Sequence, residues 1–151
     1  MSDLGPLSFY LVIEVHQDDS GITLLRQTAY AKRVVELAME ERLKVSRDNT
    51  TEEVDATQYQ RLVGSLRYLA HTRPDLAFSV RYVSRFMQRP MIEHQQAVKR
   101  IIRYVVGTLD HGLYYLRCPG TANFVGYNDS DHMGDIDTSK SRSEILLCLG
   151  K

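Results

Sequence analysis

The chain has 151 residues, 43% hydrophobic and 25% charged, which fits one globular domain or two small ones and argues against wholesale disorder. Its 19 basic and 19 acidic side chains cancel unevenly: residues 1–60 carry 6 against 11, residues 61–103 carry 9 against 2, and residues 104–151 carry 4 against 6. The neutral total thus hides a basic middle of net +7 between acidic flanks, and does not exclude a polyanionic partner.

Leu7–Val15 is rich in β-branched and aromatic residues, Asp18-Asp19-Ser20-Gly21 is turn chemistry, and Ile22–Arg26 can return as a second strand. A β-hairpin is expected. Thr28 is the expected N-cap of a helix running to about Arg42, with Tyr30, Val34 and Leu37 along one face. Residues 44–54 are polar without apolar period and read as a linker. Tyr59, Val63, Leu66 and Ala70 fall at i, i+4, i+7 and i+11, predicting a helix that Thr72-Arg73-Pro74-Asp75 stops before starting another. Leu76, Val80, Val83 and Met87 continue the pattern to Pro90, and Val98, Ile101, Ile102 and Val105 form a third stripe that Gly107 terminates. Three helices joined by short loops predict a helical unit over residues 55–109. Beyond Gly112, Leu113–Leu116, Asn123–Tyr127 and Ile145–Leu149 are strand-like. Three strands with no helix to cover them make only part of a sheet, so the chain is expected to stop inside a domain. The expected fold class is α+β: a hairpin and helix over 1–43, the linker, the helical unit, and an incomplete sheet over 110–151.

Cys118 and Cys148 have no C-x-x-C spacing, so neither a zinc site nor a disulfide scaffold is indicated; two reduced thiols or a single disulfide both fit. No apolar run approaches the ~18 residues that span a bilayer. The first twenty residues lack a basic n-region, and Asp3, Ser8 and Glu14 interrupt their apolar character. An intracellular location, cytoplasm or nucleus, with no membrane partner, is the expectation.

Two clusters carry candidate chemistry. Asp129, Asp131, Asp135 and Asp137 put four carboxylates within nine residues after a strand, enough oxygen ligands for a hard divalent cation or equally a solvated acidic turn. Their spacing is not that of an EF-hand loop. The second cluster is Arg61, Arg67, Arg73, Arg81, Arg85, Arg89, Lys99, Arg100 and Arg103, interleaved with Tyr68, Tyr82 and Tyr104. Arg81 and Arg85, and Lys99 and Arg103, share helix faces at i, i+4. Cations that reach phosphates beside aromatics that stack on bases form a nucleic-acid footprint, and the same pattern also suits an ordinary solvated face. Asp18-Asp19 reads as a hairpin tip, and the five histidines have no ligand spacing. No G-x-S-x-G elbow and no phosphate loop occurs, so no complete active site is read.

Seven motifs in order resemble copia-type retrotransposon polyprotein: Ser2-Asp-Leu-Gly5, Tyr10–Val15, Leu62-Val-Gly-Ser-Leu-Arg-Tyr-Leu69, Thr72-Arg-Pro-Asp75, Val83-Ser-Arg-Phe-Met87, Lys99-Arg-Ile-Ile-Arg-Tyr104 and Val125–Asp131. The resemblance runs from residue 1 to about 143. It implies the end of a reverse transcriptase palm, then thumb and connection, then the start of ribonuclease H. By the same resemblance, Leu7–Gln27 is similar to the hairpin that supports a primer end. The helices of 28–42 and 55–106 would hold an RNA or DNA duplex through Arg67, Arg73, Arg81, Arg85, Lys99, Arg100 and Arg103. Asp129 would be the first carboxylate of a ribonuclease H metal site, which uses Mg2+ in the intact family.

Departures from the family pattern imply a non-catalytic fragment without a cofactor. The Tyr-x-Asp-Asp motif would lie upstream of Met1 and the other ribonuclease H carboxylates beyond Lys151, whereas two-metal hydrolysis needs several carboxylates together. Between Ala38 and Met39 the family has additional residues, Val12 stands where it commonly has glycine, His132-Met133 replaces Trp-Ala, and Ser141–Glu144 replaces a turn ending in glycine. Weak, sequence-independent nucleic-acid binding is the expected residual activity, and self-association through uncovered strands is expected with it. The alternative is a small secreted module acting on a host protein, in the host nucleus or cytoplasm. Glu40-Glu41-Arg42 resembles the acidic element of RxLR-type effectors of oomycete plant pathogens, although no R-x-L-R precedes it.

Overall fold

A computed structural model describes residues 7–40, 54–117, 123–131 and 142–150. The 44–53 part of the expected linker lies outside these residues, as do Ser2–Gly5, Glu41, Arg42, Cys118, Asp135 and Asp137. The chain divides into two compact units, Met1–Tyr115 and Leu116–Lys151. Helices and strands are mixed in it, as the α+β expectation requires.

The first unit opens with strands β1 (Phe9–Tyr10), β2 (Ile13–Gln17) and β3 (Thr23–Arg26). The sequence suggests one strand over Leu7–Val15; the structure breaks it at Leu11-Val12. Tyr10 pairs with Ile13, so the link is a two-residue hairpin turn, and both its residues are left-handed, with φ +45° at Leu11 and +63° at Val12. Such turns select glycine or asparagine, because Cβ collides with the carbonyl in this conformation. With Leu-Val there, no local signal announces the turn. The β2–β3 connection is the expected one: Asp18 Oδ1 accepts from the Ser20 hydroxyl (2.6 Å) and the Ile22 N–H (2.8 Å), and Gly21 takes φ +82°.

Helix α1 (Thr28–Glu40) follows, burying Ala31, Val34 and Ala38. Thr28 is its first residue and not its cap: the Gln27 carbonyl accepts from the Ala31 N–H, and the Glu14 carboxylate on β2 accepts from the Ala29 N–H at 3.2 Å. A carboxylate at this end also complements the helix dipole. Partial burial pushes the Glu14 carboxyl up, but the hydrogen bonds from Ala29 and Arg26 outweigh it and hold it below the ordinary carboxylate value. Glu14 thus joins sheet to helix.

Helix α2 (Ala56–Leu69) is capped by Asp55, whose carboxylate accepts from the Thr57 and Gln58 N–H groups. A 3-10 turn (Pro74–Leu76), helix α3 (Ala77–Ser84) and helix α4 (Ile92–Gly107) complete the helical part. Helix α3 ends well before Pro90, where the sequence suggested its stop. The predicted stripes become one core: Tyr59, Val63, Leu66, Leu76, Val80, Val83, Val98, Ile101, Ile102 and Val105 are buried with Leu62 and Leu69, and α1 adds its own three residues. Helix α1 packs on α2 and α4, so hairpin-and-helix and helical unit share one core and are not separate bodies.

Strand β4 (Gly112–Tyr115) pairs antiparallel with β3, giving the order β1-β2-β3-β4. It therefore belongs to the N-terminal sheet and not with the downstream strands. Gly112 lies opposite Arg26, where an added Cβ would stand 2.4 Å from the Leu25 carbonyl oxygen, so only glycine allows this approach. In the second unit β5 (Asn123–Asp131) and β6 (Arg142–Gly150) form a two-stranded antiparallel ribbon. Its Phe124, Tyr127, Ile145 and Leu147 are exposed.

Candidate nucleic-acid interface

Helices α2 to α4 bury their apolar stripes and turn other residues outward. Arg67 on α2, Arg81 on α3, Arg85 at its C-terminal end, and Arg100 and Arg103 on α4 are exposed. Lys99 is half-buried, and this burial lowers its ammonium pKa below the ordinary lysine value. Arg100 lines a shallow groove with Asp75, Leu76, Ser79, Ile101 and Tyr104, so α3 and α4 present side chains to a common surface.

Arg73 is not part of that surface, contrary to the sequence expectation. Its side chain is 2% exposed. The guanidinium donates to Asp75 through Nε (2.9 Å) and Nη2 (2.7 Å), to the Thr108 carbonyl through Nη1 (2.8 Å), and to the Thr108 hydroxyl through Nη2 (2.8 Å). It also lies 5.7 Å from the Tyr104 ring centroid. The hydrogen bond to Asp75 raises the Arg73 pKa, and the same bond lowers that of Asp75. Arg73 therefore ties the Pro74 corner to the end of α4, and its charge is spent inside the protein.

Two of the three interleaved tyrosines also have structural work. The Tyr68 hydroxyl donates to the Leu11 carbonyl, and its ring packs edge-on against Tyr30 and His71 at 5.1 and 5.5 Å. It fastens the left-handed β1–β2 turn to α2. Tyr104 packs over Arg73. Tyr82 and Tyr104 both stay outward, 48% and 47% exposed, and Phe78, one turn before Tyr82, is 78% exposed. Phe78 escaped the sequence reading, although its position off the Leu76–Val80–Val83 stripe was the available signal.

At the far end of α3, Phe86 stacks on His94 with centroids 3.6 Å apart. His94 is buried, its Nδ1 accepts from the Met91 N–H at 3.0 Å, and burial lowers its pKa. An imidazole that accepts a backbone N–H while buried is neutral and caps α4.

Asp129 lies in β5, in register with Glu144 of β6, and Asp131 is in register with Arg142. Among the described residues no group of three His, Cys, Asp or Glu side chains is placed to hold a metal ion. Glu40, of the effector-like tripeptide, is the exposed last residue of α1. No helix among the described residues is long and apolar enough to cross a membrane.

The chain is similar to the retrovirus-related Pol polyprotein from transposon RE1 of Arabidopsis thaliana, with 35% identity over 99% of this chain and 11% of that protein. An uncharacterized mitochondrial protein of the same plant is 33% identical over 99% of this chain and 66% of its own length. The secreted RxLR effector protein 161 of Plasmopara viticola is 44% identical over 60% of this chain and 64% of its own length. The chain thus spans about a tenth of the length of the Pol polyproteins it matches. No family model and no solved structure matches it.

Proposed function

Because the chain belongs to the retrovirus-related Pol polyproteins of copia-type transposons, we propose that it is a transposon-derived, non-catalytic segment that holds nucleic acid through its basic helices. The observation that carries this reading is the +7 balance of residues 61–103, with Arg67, Arg81, Arg85, Arg100 and Arg103 exposed on three helices of one core. Cations spread over a rigid scaffold engage phosphates without reading bases, so the binding is sequence-independent and salt-sensitive. It acts inside the producing cell. Asp129 is an inherited metal-ligand position that serves no reaction here. The test is titration of a labelled RNA–DNA hybrid at two salt concentrations. Saturable binding that weakens with salt is expected; no binding at low salt removes the reading.

Self-association belongs to the same proposal. A two-stranded ribbon with Phe124, Tyr127, Ile145 and Leu147 exposed needs further cover to be stable. Sedimentation of purified protein should show oligomers, and a strictly monomeric species with a sharp melt would contradict this.

A second reading rests on the 44% identity to the secreted RxLR effector protein 161. In it the chain is a secreted protein-interaction module that acts on a host protein. Expression in a plant leaf should then alter cell death or defence, while strict retention in the producing cell would count against it.

A further inference from the structure

Helix α3 carries two unlike faces. Leu76, Val80 and Val83 point into the core. The opposite side presents Phe78 and Tyr82 at i, i+4, and Arg81 and Arg85 at i, i+4 beside them. The aromatic row continues: Tyr82 packs edge-on with Phe86 at 5.5 Å, and the Arg85 guanidinium lies 5.7 Å from the Phe86 ring centroid. A phenylalanine 78% exposed beside a half-exposed tyrosine loses hydrophobic free energy with no structural return. Arginines in the same rows make the face complementary to a polyanion.

We propose that this aromatic–arginine face of α3 binds the unpaired bases of single-stranded nucleic acid, with Phe78 and Tyr82 as stacking platforms. The inference rests on the basic-surface reading above and adds the substrate class. Four helical residues separate the two rings by about 6 Å along the axis, whereas bases stacked in a duplex strand lie about 3.4 Å apart. Rings so spaced suit successive bases of an unstacked strand, whose faces are open. In a duplex those faces are covered, and only phosphates remain to be touched. Ser79, one turn from Tyr82, lines the shallow groove with Arg100 of α4. A strand whose bases lie on α3 therefore has a cation from the neighbouring helix for its phosphates.

The test compares Phe78→Ala and Tyr82→Ala with the unaltered full chain against three probes: a labelled oligo(U), an abasic oligomer of equal length, and an RNA–DNA hybrid. Both side chains are exposed, so both variants fold, which their circular dichroism and melting curves verify. Each substitution should weaken oligo(U) binding about fivefold or more, the loss of one stacked base. Hybrid binding should stay unchanged, and the abasic oligomer should bind no better to the unaltered chain than to the variants. Equal losses on oligo(U) and hybrid, or no loss on either, overturn the stacking site while leaving the basic surface intact. If the unaltered chain binds none of the probes at low salt, both readings fall. If Phe78→Ala changes only the oligomeric state, the face is a protein contact and the proposal is overturned.

Discussion

Replacing Arg73 by lysine separates an arginine that holds the fold from arginines that face solvent. The four shortest hydrogen bonds of the guanidinium, two to Asp75 and two to Thr108, are between 2.7 and 2.9 Å, from a side chain 2% exposed. A lysine ammonium keeps the charge but cannot reproduce the planar fork, so about two of the four bonds are lost. Each bond to a charged group contributes about 1.5–3 kcal/mol, and Asp75, 36% exposed, recovers part of its share from water. The expected cost is about 2–4 kcal/mol, a large fraction of a small domain's stability. In urea titration followed by circular dichroism, with a slope of about 2 kcal/mol/M, the midpoint falls by about 1–2 M. Arg67→Lys and Arg103→Lys, on exposed positions, should shift it by no more than about 0.5 kcal/mol equivalent. An Arg73→Lys midpoint equal to the unaltered protein's, with weaker nucleic-acid binding, would refute the structural assignment and return Arg73 to the binding surface.

Two further outcomes follow from strained or buried groups. Val12→Gly should stabilise the protein by about 0.5–1 kcal/mol, because relief of a left-handed β-branched residue exceeds the added chain entropy of glycine; a lower denaturation midpoint would show that the turn is not strained. His94 has a folded pKa depressed below its ordinary 6.5, so the unfolded chain binds the proton more readily. Its stabilising effect is therefore complete above pH 6.5 and declines as pH falls below that value toward the folded pKa. Urea midpoints measured from pH 8 to pH 5 should fall in this window, and His94→Gln should flatten the fall; an identical profile in the variant would remove His94 as its source.

The helices were legible because their burial is periodic: Tyr59, Val63 and Leu66, or Val98, Ile101, Ile102 and Val105, mark a face by spacing alone. The β1–β2 turn was not, since Leu11 and Val12 carry no turn chemistry and their conformation is held from a distance by the Tyr68 hydroxyl. The partner of β4 was hidden for a related reason: Leu113 pairs with Leu25, and nothing local to either strand specifies so distant a match. The basic cluster was legible as a count but not as a surface. Arg73 reads as solvated until Asp75 and Thr108 are seen around it, and Phe78 stands out only once its helix is phased against Val80 and Val83.

The exposed basic side chains of α2 to α4 are proposed to engage phosphates. The direct measurement is the affinity for an RNA–DNA hybrid as a function of salt, from about 50 to 200 mM. With three to five phosphates neutralised at about −0.9 each, the logarithm of the association constant should fall against log salt with a slope of about −3 to −5. Arg100→Ala with Arg103→Ala should reduce that slope by about two phosphates' worth. A flat salt profile, or no binding at the lowest salt, would contradict the account.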